Sequence, residues 1–412
     1  MIRRMGSRRA LAYGMSALLA GVVAGSAESW AIDITLDYTY DSTNYFGAGN
    51  PSGATAGLQA RNALTAAVEF FEGILDDTFA AVTIPPDYPS QVFNGVAFWD
   101  TTIQFTNPTT GGGVTLTGQT RATDEYRLYV GARNLGGTTL GVGGPTSAGW
   151  SQDFTGDGFT GAEVAEIEAI TDEFSEAVET RGQGNGFSAW GGTLSFDSVG
   201  TNWHFPHTVA PSGAVSDFYT VAIHELGHAL GLGASTQWTA LAGGPNFLGS
   251  AATAEYGSNP PLNPARNHWA SGTMSAVFGT NTPQEAAMDP EGLQGTRKLF
   301  TDLDAAALTD IGWEVSALTV EFNPADFNED TFVNGADLAF WGRAFGENGS
   351  ADADDDGDSD GNDFLIWQRQ FGASSSVVNG SASTAAVPEP CALALLAPCV
   401  AAAWLRRRVA QR

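Results

Sequence analysis

Cysteine is nearly missing from this chain of 412 residues: Cys391 and Cys399 are the only two, both close to the C-terminal end. Everything before them can form no disulfide framework, no cysteine zinc site and no cysteine nucleophile. Lysine occurs once, at Lys298, and 18 Lys+Arg face 46 Asp+Glu, a formal net charge of −28. That balance argues against nucleic acid and anionic membrane surfaces as partners. Only 16% of residues are charged and 43% are hydrophobic, so the acidity is not that of a disordered chain. The length allows two or three domains, and 51 glycines suit a loop-rich fold.

The two ends read as addresses. Arg3, Arg4, Arg8 and Arg9 precede an apolar run and then small residues around Ala27 and Ala31, the order of a secretory signal over residues 1–31. At the other end Val387–Pro390 (VPEP) is followed by an apolar run interrupted by Pro398 and then by Arg406, Arg407 and Arg408. The run is short for a membrane span of about 20 residues. This order resembles the PEP-CTERM sorting signal, here over 387–412. The resemblance implies export to the cell envelope, cell surface or medium and recognition of the tail by a sorting enzyme at the membrane. A plain tail anchor is the alternative.

Between the ends, residues 32–320 mix apolar and polar positions, residues 323–372 are extremely acidic, and residues 373–386 form a small-residue linker. Helices are expected at 54–76, with Leu58, Arg61, Leu64, Val68 and Phe71, and at 162–179, with Val164, Ile167, Ile170, Phe174 and Val178 at helical spacing. Strands are expected at Val92–Phe98, Thr101–Phe105, Val114–Thr117, Tyr126–Gly131 and Thr193–Phe196. The order suits an α+β domain.

All five histidines fall between 204 and 268, and two stand in VAIHELGHALGLG, residues 221–233. Residues four apart share a helix face, so His224 and His228 can aim two imidazoles at one zinc ion. Glu225 lies beside them, able to take a proton from a zinc-acidified water. Apolar neighbours bury the rest of the helix, and Gly231 and Gly233 end it. Two incidental histidines on a buried helix are the alternative.

At these residues the chain resembles the metzincin zinc endopeptidases, whose pattern is HExxHxxGxxH. His224, Glu225, His228 and Gly231 fill it, but the last position holds Ala234. Leishmanolysin-like members bring the third histidine from beyond a long insertion, and His268 in NHWASGTM is similar to that arrangement. Glu255 is the other candidate, as in gluzincins. His204 and His207 read either as a second metal pair or as polar residues at a strand end near the cleft. Met288 in AMDP resembles the Met-turn, and FTDLDAAALTDIGW resembles the closing helix, capped by Thr301 and Asp304 and ended by Gly312. The resemblance implies a zincin-like domain: a twisted mixed sheet over an active-site helix, with the cleft between sheet edge and metal.

In the acidic segment, DFNEDTFVNGADLAFWGRAFG and DADDDGDSDGNDFLIWQRQFG repeat at an offset of 26. Asp326, Asn328, Asp330, Asn334 and Asp337 in the first, and Asp352, Asp354, Asp356, Asp360 and Asp363 in the second, have calcium-loop spacing, followed by a short amphipathic helix. The pair resembles a dockerin type I module, which implies a small all-α loop-helix pair, one or two Ca²⁺ and a cohesin-like partner. Gly357 fills the turn position of the second loop, but Thr331 replaces it in the first.

The expectation is therefore an exported zinc endopeptidase acting on protein or peptide, with one catalytic Zn²⁺, Glu225 as base, His224, His228 and His268 as ligands, and Gly231 and Met288 as structural residues. A non-catalytic surface or matrix adhesion protein with a degenerate zincin domain is the rival reading, and a zinc hydrolase of non-peptide substrates a third.

Overall fold

The computed structural model describes residues 31–183, 190–316, 318–321, 323–328, 332–354, 356–373 and 376–379. Residues 1–30 of the expected export signal, most of the linker, the sorting tail at 387–412, Thr331 and Asp330 lie outside them. The chain runs through strand β1 (Asp33–Asp37) and helix α1 (Ala54–Glu72) into strands β2 (Val96–Thr106), β3 (Gly113–Thr117), β4 (Glu125–Arg133), β5 (Gly141–Pro145) and β6 (Ser147–Thr155). Helix α2 (Gly161–Thr180), strand β7 (Gly191–Asp197) and helices α3 (Phe218–Ala229), α4 (Thr236–Leu241), α5 (Ser250–Tyr256) and α6 (Asp302–Asp310) follow. Strand β8 (Leu318–Glu321), helices α7 (Gly335–Ala344) and α8 (Gly361–Gln370), and strand β9 (Ser376–Asn379) come last. The protein is mixed α+β, with several sheets and, among the described residues, eight helices.

α1 forms because Ala60, Ala63, Leu64, Ala67, Val68 and Phe71 recur at helical spacing and bury one stripe. It ends at Glu72, four residues before its expected limit, because Gly73 follows. Leu58 faces solvent. α2 covers the expected span and opens with a reciprocal capping box, Thr160 with Glu163.

The first sheet has the order β1, β4, β7, β5. Its first three strands are parallel, and β5 pairs antiparallel with β7 as the edge. Side chains of β4 alternate between two cores: Tyr126, Leu128 and Val130 join the main one, which holds α1 and α3, and Tyr129 joins a second one. That second core lies under a sheet built on β2, with β3 and β6 as antiparallel neighbours and α2 packed over it. The two strands expected at Val92–Phe98 and Thr101–Phe105 are one, Val96–Thr106. No Gly, Pro or Asn stands between Phe98 and Thr101 to break it, and Val92 and Phe93 sit exposed ahead of it.

The acidic repeats fold as mirror uses of one plan. Asn334 with Asp337 and Asp360 with Asp363 form capping boxes that open α7 and α8. Trp341 Nε1 donates to the Asp360 carbonyl at 2.9 Å, and Trp367 Nε1 to the Asn334 carbonyl at 2.8 Å, so each helix closes the other's loop. The Gly346 N–H reaches Ser359 O and the Gly372 N–H reaches Val333 O in the same reciprocal way. Within 323–372 the named elements among the described residues are the two helices; β8 and β9 pair antiparallel outside that segment, one before it and one after. Among the described residues no helix is long and apolar enough to cross a membrane.

Candidate metal centre

α3 carries the motif and is fixed at both ends. Asp217 caps it, accepting from the Thr220 N–H at 3.1 Å, and is itself gripped by Arg297 through Nε and Nη2 at 2.9 and 2.8 Å. Arg297 also donates to the His207 carbonyl, so the pair is buried with its donors engaged. After Leu230 the chain turns at Gly231 (φ 107) and Gly233 (φ 70). A Cβ on Gly233 would lie 2.0 Å from the Asn267 carbonyl oxygen, so only glycine lets the 263–268 loop come this close.

That loop brings the third histidine. His268 Nε2 lies 3.1 Å from His224 Nε2 and 3.0 Å from His228 Nε2. His224 Nδ1 donates to the Ala287 carbonyl at 2.7 Å and His228 Nδ1 to the Leu232 carbonyl at 2.8 Å. A carbonyl can only accept, so the proton of each ring is on Nδ1 and each Nε2 presents a bare lone pair. His268 Nδ1 meets Asn267 Oδ1 at 3.0 Å. Burial holds all three imidazoles below their ordinary pKa. For His224 the neighbouring His228 and His268 add to it, and His268 falls to about 3. Neutral rings with converging lone pairs are what a cation takes as ligands.

The set fits zinc. Three nitrogens about 2.0–2.1 Å from a tetrahedral ion stand about 3.3 Å apart, so the two separations from His268 Nε2 need only a slight opening. Other candidates stand away. Glu255 is on the exposed face of α5, outside the cluster. His204 bonds Val209 O from a two-residue strand, and His207 stacks on Tyr219. Ala234 is exposed and has no donor atom.

Residues without metal-ligand chemistry place His268. Trp238, Phe247 and Trp269 pack with centroids 4.4–5.5 Å apart and anchor the insertion in the core. Trp269 Nε1 donates to Asp304 Oδ1 at 2.8 Å, and Asp304 also accepts from the N–H groups of Ala287 (2.7 Å) and Met288 (3.2 Å). One buried carboxylate thus ties the neighbour of His268 to the turn whose carbonyl orients His224. Burial raises its pKa, while Thr301, Trp269 and the two N–H groups oppose the rise. Met288 is fully buried, its sulfur against Gly227 of α3. α6 has the expected Thr301–Asp304 capping box, and Trp313 beyond it donates to Leu230 O, closing on the end of α3.

Glu225 is 5% exposed and lies under β5. Burial pushes its carboxyl up to about 8, and a backbone hydrogen bond from Gly143 opposes that. A divalent cation beside it would lower it again. The edge strand, α3, the 267–268 loop and residues 287–292 enclose a cleft of ≈ 470 Å³. Sequence reasoning missed β5, because GVGGP has no strand-like alternation. It also missed Asn267 and the Asp304 contacts beyond its cap.

In the second acidic loop the carboxylates of Asp352, Asp354 and Asp356 gather within 4.8 Å, as do those of Asp358, Asp360 and Asp363. Asp358 was not among the expected ligands. In the first loop Asp337 accepts from the N–H groups of Asn328 (3.3 Å) and Asn334 (2.7 Å), and Asn334 caps α7. There no three acidic or histidine groups gather among the described residues. No protein-family model, no curated protein and no solved structure matches this chain.

Proposed function

We propose that the chain is an exported zinc-dependent endopeptidase. In this reading residues 32–320 form a zincin-like domain of the metzincin type, residues 323–372 a calcium-binding module and residues 387–412 a sorting tail. One observation carries it: three Nε2 lone pairs converge in an open cleft, that of His268 3.1 and 3.0 Å from those of His224 and His228, each ring fixed through its Nδ1, with a carboxylate from the α3 helix beside them. His224, His228 and His268 would hold the zinc, and His268 fills the place that Ala234 leaves empty of a donor. Retention of Glu225 and of an open cleft favours an enzyme over an adhesion protein with a degenerate site.

Bound zinc would supply Lewis-acid polarisation of the scissile carbonyl and acidification of a water. The protein's own groups do the rest. Glu225 takes a proton from the attacking water and returns it to the departing amine. β5 is the last strand of its sheet, so an extended peptide could lie along its outer edge. In the acidic module, hard oxygen ligands would take Ca²⁺, the second loop first, because its carboxylates are already gathered.

The test is digestion of an unfolded protein by the purified chain. It should proceed with zinc, stop with a chelator and return on adding zinc. Glu225→Gln should keep zinc and lose most turnover. Equal turnover in that variant, or digestion indifferent to the chelator, would overturn the reading.

A further inference from the structure

Two of the three histidines donate to backbone carbonyls, but His268 donates to a side chain, and its orientation follows from a short relay. The Asn267 backbone N–H can only donate, so the Asn263 atom 3.1 Å from it is Oδ1. The other end of that amide, Nδ2, therefore donates, and it reaches Asn267 Oδ1 at 3.0 Å. Asn267 Oδ1 is an acceptor only, and His268 Nδ1 lies 3.0 Å from it. The proton of His268 is thus on Nδ1, and Nε2 is left bare toward His224 and His228. The same loop is closed by Asn263 N–H to His268 O at 3.0 Å, and it hangs on the core through Trp238 Nε1 to Arg266 O at 2.8 Å.

We propose that Asn267, held in register by Asn263, is the positioning residue that presents His268 to the metal. This rests on the zinc reading above. The first two histidines need no such device, because α3 fixes their spacing. His268 stands on a loop 40 residues past His228, where ring rotation or the wrong tautomer would turn Nε2 away. Asn267 prevents both with one oxygen. Partners of this kind typically change metal affinity 10–100-fold.

The experiment uses the full-length protein, stripped of metal and titrated with zinc against a chromophoric chelator. The cobalt absorption spectrum reports the same site independently of turnover. Asn267→Ala should weaken zinc binding by about 10–100-fold while the melting temperature of the metal-free protein is unchanged. Asn267→Asp keeps the acceptor and strengthens it, so it should bind zinc at least as tightly as the wild type. Asn263→Ala should fall between the wild type and Asn267→Ala. Zinc affinity of Asn267→Ala within twofold of wild type would overturn the proposal. So would an equal loss in Asn267→Asp, since the acceptor is then not what matters. A wild-type protein that binds no zinc at these histidines would remove the zinc reading itself, a result distinct from either.

Discussion

The β5 strand sits so close on α3 that a single methyl group should displace the proposed base. A Cβ built on Gly141 would lie 2.4 Å from Glu225 Oε1, 2.6 Å from its Cγ and 2.7 Å from its Cδ. An ordinary carbon–oxygen contact is about 3.2–3.4 Å, so the carboxylate must retreat by about 1 Å in Gly141→Ala. It cannot do so by moving the helix, because β5 also rests on its backbone: a Cβ on Gly143 would lie 2.2 Å from the Glu225 carbonyl oxygen. A misplacement of about 1 Å at a catalytic group costs roughly 100-fold, about 2.7 kcal/mol of barrier. The three histidines are untouched, so zinc content and KM should change little while kcat falls. Steady-state cleavage of a quenched fluorescent peptide, with zinc measured on the same samples, separates these quantities. In a Glu225→Gln background the methyl group should add almost nothing, because the group it displaces no longer acts. A kcat within twofold of wild type would refute the reasoning, and so would a loss of zinc in step with kcat.

Three other outcomes are expected. Asp304→Asn sets an amide NH₂ among donors that now share a carboxylate, leaving one or two buried N–H groups unpaired; it should cost about 2–4 kcal/mol in a denaturant melt and also weaken zinc binding. Burial lifts the Asp77 carboxyl from 3.8 to about 6, with the Glu314 N–H opposing. A raised acid favours the folded state at low pH, so its contribution is complete below about pH 4 and lost as pH rises through about 6. Asp77→Asn keeps the acceptor, should flatten that decline, and should raise stability at pH 7 by about 1–2 kcal/mol after allowance for solvent screening; an unchanged pH–stability profile would contradict it. Calcium should slow cleavage by an arginine-specific protease at the exposed Arg343 and Arg369, by neutralising the carboxylates around them and ordering the repeats. Equal cleavage rates with and without calcium would retire the calcium module.

What could be read from the sequence was what local periodicity and spacing encode. α1, α2 and α3 announced themselves because their buried residues recur at helical intervals, and the box at Thr301 and Asp304 marked α6. His224, Glu225 and His228 were legible because four residues of helix suffice to relate them. His268 emerged by elimination among five histidines, but what seats it is not local: an aromatic cluster from 238, 247 and 269, a relay from 263, and a carboxylate at 304. β5 was illegible for a different reason. Gly141 and Gly143 are there because α3 leaves no room for their side chains, so on that face the residue types that usually mark a strand are excluded by the contact that makes it one. β6, SAGWSQDFT, is hidden for another reason, the polar Ser147, Ser151, Asp153 and Thr155 at exposed positions. In the acidic repeats the offset of 26 announced a duplication, but not that each tryptophan would close the opposite loop.

The central claim, one zinc ion shared by His224, His228 and His268, is tested most directly by anomalous diffraction at the zinc edge from crystals of the protein grown with zinc. The account predicts one strong peak in the cleft, about 2.0–2.1 Å from all three Nε2 atoms, with Glu225 beside it and Ala234 making no contact. A peak bound by only two of the histidines, or completed by Glu255 or another carboxylate in place of His268, would contradict it.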